Sequence, residues 1–115
     1  MMPQVRVTNV TSRRVLADRA ELAHGMLKRL VGLLTRASLQ AGEALVLPRC
    51  SAIHTCGMRF PIDVLFLKQG VVIKAIRHLR PCRVVWIPGS ETVVELPAGI
   101  LARTDTHAGA RLDIA

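Results

Sequence analysis

Cys50, His54 and Cys56 fall within one short stretch of the chain, and Asp63 follows closely. Thiolate and imidazole are good zinc ligands, and Cys82 or His78 could supply a fourth. Cys-x3-His-x-Cys is not a common structural zinc spacing, and free cysteines often pack simply as small hydrophobes. The expectation is therefore no cofactor, with Cys50, His54 and Cys56 the candidates if a metal binds. The same residues suggest a nucleophilic arrangement. Cys56 would attack, His54 would serve as base and Asp63 would orient it. Nothing beside Cys56 reads as a helix N-terminus or an oxyanion loop, so a binding role is expected ahead of an enzymatic one.

Two carboxylates sit in strongly apolar surroundings. Asp63 lies between Phe60-Pro61-Ile62 and Val64-Leu65-Phe66, and Glu95 between Val93-Val94 and Leu96-Pro97. Such a carboxylate needs either a partner or an outward face. The structural expectation is that one of them holds Arg36 through a bidentate bond. The functional alternative is an acid–base pair lining a pocket.

Sixteen Lys and Arg against eight Asp and Glu give a net charge of +8 over 115 residues. Lys74, Arg77, Arg80 and Arg83 form the densest group and could bind phosphate or nucleic acid. Against that, Phe60, Phe66 and Trp86 are the only aromatic residues. Single-strand binding modules stack bases on aromatic platforms, so nucleic acid is disfavoured as a partner. A small ligand or a protein is expected instead.

These residues need a scaffold, and the length suits one domain over 1–115. Val5 and Val7 alternate with Arg6 and Thr8, as in a half-buried strand. A second extended piece covers Arg14–Ala17. Asp18-Arg19-Ala20-Glu21 then has the form of a capping box. Leu22, Met26, Leu30, Leu33 and Leu34 recur at helical spacing beyond it, which predicts an amphipathic helix. From Glu43 onward, Val- and Ile-rich runs are separated by turn signals. They are Ala44–Leu47, Val64–Leu67, Val71–Ile76, Val84–Ile87 and Thr92–Leu96. Lys68-Gln69-Gly70 reads as a hairpin turn. Ile100–His107 is expected to be a short helix or irregular, and Ala110–Ile114 a last strand. The prediction is a mainly β protein: a small antiparallel barrel or sandwich with one packed amphipathic helix near the N-terminus. The apolar runs are far shorter than the roughly 20 residues of a membrane-spanning helix, and three irregularly spaced cysteines do not read as a disulfide framework. A soluble cytoplasmic protein is expected.

Three blocks carry a resemblance. Gly32-Leu33-Leu34-Thr35-Arg36-Ala37-Ser38-Leu39, His54 through Leu67, and Val94-Glu95-Leu96-Pro97-Ala98-Gly99 resemble, in order and spacing, the blocks of the domain of unknown function 192 family. The resemblance implies a small, β-rich, barrel-like fold of bacteria and archaea without an established activity. Many of its relatives carry an export signal that is not read here. His54-Thr55 stands where the family commonly has Trp-Met, Gly57-Met58 where it has Asn-Thr, and Gly109-Ala110 where it has Gly-Asp. The residues expected to border a site are His54, Thr55, Cys56, Met58 and Asp63, with Glu95 and Arg36. The loop from Cys50 to Pro61 is expected to form its edge.

Overall fold

The computed structural model describes residues 4–23 and 39–115. Along the chain come β1 (Gln4–Asn9), β2 (Arg14–Leu22), β3 (Gly42–Pro48), β4 (Ala52–His54) and β5 (Ile62–Lys68). They are followed by β6 (Val71–Leu79), β7 (Val84–Trp86), β8 (Thr92–Pro97), the helix α1 (Ile100–Arg103) and β9 (Leu112–Ile114). Seven strands form one sheet in the order β6-β5-β8-β3-β2-β1-β9, and β4 and β7 make a separate ribbon. Pairing is antiparallel throughout, except that β2 and β3 run parallel.

The large sheet curls into a half-barrel. Its two edges meet at one end, where Val71 bridges to Arg111. There Val72 N–H donates to Ala110 O at 2.9 Å, and Leu112 N–H donates to Gly70 O at 2.8 Å. One apolar cluster draws on all seven strands: Val7, Leu16, Val46, Leu65, Val72, Val94 and Leu112 all belong to it. A cluster fed from both edges is the inside of the curl. A second cluster, with Leu45, Leu47, Ile62, Val64, Phe66 and Val93, lies on the outer face. Ile53 of β4 joins it, with Val85 of β7 packed against it, so the small ribbon covers part of that face. Strands covered on both faces lose the apolar–polar alternation. Accordingly, Ile62–Leu67 is buried at every position.

Several sequence expectations reappear. The turn between β5 and β6 is the Gln69-Gly70 pair, at φ 51° and 76°. Both central residues of a type I′ turn need positive φ, which glycine supplies at no steric cost. β6 runs on to Leu79 and the last strand starts at Leu112, two shifts of boundary.

The capping box is a correction. Asp18-Arg19-Ala20-Glu21 caps no helix; it lies within β2, hydrogen-bonded between β1 and β3. β2 carries a register irregularity between Ala17 and Arg19. It breaks the two-residue alternation, so that Leu16, Ala17 and Ala20 become the buried positions. Met26, Leu30, Leu33, Leu34 and Arg36 lie outside the described residues. Among the described residues the helix is α1, near the C-terminus. No helix among them is long and apolar enough to cross a membrane.

Candidate functional site

Asp63 is completely buried on the inner face of β5. A bulge in β6 lies against it, because Ile62 pairs with Leu79 while Val64 pairs with Ile76. At the bulge His78 takes φ 51°, and its N–H donates to Asp63 Oδ1 at 2.9 Å. Asp63 Oδ2 accepts from Gly99 N–H at 3.1 Å and Leu101 N–H at 3.0 Å. These are N–H groups at the start of α1, which no helical carbonyl can reach. One carboxylate thus joins the bulge of β6 to the turn that follows β8. Its oxygens serve backbone donors rather than His54, so Asp63 does not orient the imidazole.

Glu95 is 6% exposed and faces the other way. The register sets it opposite Leu45 on β3 and Val64 on β5, both in the outer-face cluster. Burial among these aliphatic groups pushes its pKa up to about 7. An acid–base pair in one pocket does not form, since Asp63 and Glu95 leave opposite faces of the sheet.

The His54 block builds the small ribbon. Ala52 lies opposite Trp86, Ile53 opposite Val85 and His54 opposite Val84. Ile53 and Val85 turn inward, while Val84 is 76% and Trp86 67% exposed. Ala52, Ile53, His54, Cys56 and Val84 line an open cleft of about 460 Å³. Thr55 has no exposed surface. Its hydroxyl donates to Arg80 O at 2.7 Å and accepts from Arg83 N–H at 2.9 Å, which fixes the 80–83 loop beside β4. Met58 is buried in the outer-face cluster.

The cysteines separate. Cys50 is buried, and its thiol donates to Ala52 O at 3.1 Å, whereas Cys56 and Cys82 are exposed. Among the described residues no three His, Cys, Asp or Glu side chains cluster as metal ligands. The Cys50–His54–Cys56 candidate is corrected accordingly, because a buried and an exposed thiol do not converge.

Of the basic group, Lys74 and Arg77 lie on β6, and Arg80 and Arg83 on the loop after it, all exposed. Arg77 Nη2 reaches His107 Nδ1 at 3.5 Å, and His107 Nε2 lies 2.7 Å from Asp105 Oδ1. Sequence reasoning missed the outward column of Ala52, Val84 and Trp86. The clue was that the Val84–Ile87 run contains the chain's one Trp, but the pairing of β4 with β7 has no local signal.

The comparisons agree with this architecture. The model of the DUF192 family, described as an uncharacterized ACR, matches residues 7–114. No curated protein matches the chain. A crystal structure of a protein of unknown function from Novosphingobium aromaticivorans is similar, with a TM-score of 0.81 and 23% identity over 97% of this chain and 84% of that one. Another, of a Sinorhizobium meliloti protein described as a candidate transcription regulator, has a TM-score of 0.83 and 22% identity, over 96% of this chain and 92% of that one. Both likenesses are of fold. With the half-barrel in place and a family match spanning nearly its whole length, the chain belongs to the DUF192 family.

Proposed function

We propose that the protein is a binding module that holds a segment of a protein partner on the outward face of β4 and β7. The observation that carries this reading is the exposure of Val84 and Trp86 beside an apolar cleft. A large apolar side chain left in water on a small domain is a common mark of an interface. Trp is also among the residues that dominate binding energy at interfaces.

The charge around the cleft selects the partner. Residues 49–62 and 79–90, which build this face, contain Arg49, Arg59, Arg80 and Arg83 and no Asp or Glu. A segment with an aliphatic or aromatic side chain flanked by carboxylates complements it. The open apolar face suits a side chain laid against it. Binding is favoured over chemistry because Asp63 and Glu95 are buried elsewhere in the fold.

A random peptide library panned against the wild-type protein, and against the Val84→Asp, Trp86→Ser double variant, tests this. Selected peptides should place Asp or Glu around one large apolar residue and should not bind the variant. Equal binding to both proteins, no selection, or preferential binding to a random DNA duplex or to anionic vesicles at the same salt would overturn it.

A further inference from the structure

The ribbon does not stop where its regular pairing stops. Beyond His54 and Val84, Thr55 N–H donates to Arg83 O at 2.8 Å, which carries the register one step further. There the ladder ends: Cys56 and Gly57 form a turn, with Gly57 at φ 87°, and Cys82 takes φ 63°. Cys82 N–H donates to the Thr55 carbonyl at 3.1 Å, and Met58 N–H donates to the same oxygen at 3.1 Å. The Cys82 backbone is therefore held against the peptide that links Thr55 to Cys56. The buried Thr55 hydroxyl reinforces the contact through Arg80 and Arg83.

Alternation decides where the side chains go. Ala52, His54, Val84 and Trp86 are outward, while Ile53 and Val85 are inward. Cys56 and Cys82 lie just past the end of the ribbon, and both are exposed. The Cys82 N–H bond to the peptide that precedes Cys56 keeps the two Cα atoms within about 7 Å of each other. A disulfide spans about 4.4–6.8 Å between Cα atoms.

We propose that Cys56 and Cys82 are a thiol–disulfide site that closes across the end of the β4–β7 ribbon, with a low-molecular-weight disulfide as oxidant. The Cys56 thiolate attacks one sulfur of that disulfide and releases the first small thiol. The Cys82 thiolate then attacks the Cys56 sulfur of the mixed disulfide and releases the second. The protein loses two protons and two electrons, and the small disulfide becomes two thiols. The closed form clips the 55–58 turn to the 80–83 loop and removes the Cys56 thiol from the cleft. Cys50, buried and bonded to Ala52, takes no part.

Reduced, desalted protein treated with excess oxidised glutathione, then acid-quenched and read by intact mass and peptide mapping, is the test. The wild type should lose two hydrogens and yield a Cys56–Cys82 cross-linked peptide, at a rate independent of protein concentration. The Cys56→Ser and Cys82→Ser variants should each instead gain a single glutathione on the remaining member of the pair. Glutathione retained on both cysteines, linkage between chains, a bond to Cys50, or no reaction would each overturn the proposal. The assay uses no partner, so its outcome is separate from that of the binding reading.

Discussion

Asp63 and Glu95 sit on neighbouring strands a single register step apart, yet their side chains leave opposite faces of the sheet. The pairing is Asp63 with Leu96 and Val64 with Glu95. Asp63 is met by backbone N–H donors from two directions. Glu95 is met by aliphatic side chains. Two acids of the same chemistry thereby acquire different roles.

Asp63→Asn should destabilise the fold strongly. An amide has only one acceptor oxygen, so at least one N–H donor among His78, Gly99 and Leu101 faces another donor. Each buried donor left unsatisfied costs about 1–3 kcal/mol. A loss of about 1–3 kcal/mol in urea unfolding is expected, with the β6 bulge and the start of α1 losing hydrogen-exchange protection first. A variant as stable as the wild type would remove Asp63 from this role.

Glu95 should make stability depend on pH. Its pKa rises from 4.5 to about 7 on folding, so between these values the folded chain keeps a proton that the unfolded chain releases. The stabilising effect is complete below pH 4.5 and is lost as pH rises through about 7. The full difference is about 3 kcal/mol, at 1.36 kcal/mol for each pKa unit. Glu95→Gln should flatten this part of the curve and be the more stable form at pH 8. Matching melting profiles for the two proteins between pH 5 and 8 would contradict the assignment.

Thr55 should tolerate Ser and reject Val. Valine keeps the shape but leaves the Arg80 carbonyl and the Arg83 amide without the hydroxyl. A cost of about 2 kcal/mol is expected. Serine restores both bonds and should recover most of it. Because the same hydroxyl positions the 80–83 loop, the Val variant should also form the Cys56–Cys82 disulfide more slowly.

Trp86→Ser and Val84→Ser should leave stability within about 0.5 kcal/mol of wild type, since both side chains lie in water in the isolated chain. A large loss of stability in denaturant would show that these residues support the fold itself.

What could be read in the sequence was local. The Val- and Ile-rich runs mark β5, β6 and β8, and Gln69-Gly70 marks the turn between the first two. Asp63 and Glu95 stand out as carboxylates in apolar strands. Their partners do not, because His78 becomes a donor only through a bulge and Gly99 only through the turn into α1. Asp18-Arg19-Ala20-Glu21 matches a capping box in residue type and spacing, yet it lies in a strand whose partners come from β1 and β3. The pairing of Ala52–His54 with Val84–Trp86 joins segments far apart in the chain. Neither segment contains a residue that announces the other, so the cleft and the proximity of Cys56 to Cys82 emerge only in three dimensions.

The half-barrel closes at only one end, which has a consequence for colloidal behaviour. β6 pairs with β5 on one side; on the other it is joined to the far edge around Val71 and Val72, and past these no described strand pairs with it. An open edge is a template for adding a strand from another molecule. Lys74 and Arg77 lie along that edge, with Arg80 just past its end. A second copy approaching edge to edge would bring like charges together, so the basic stretch that reads as a ligand patch also works as a guard against polymerisation.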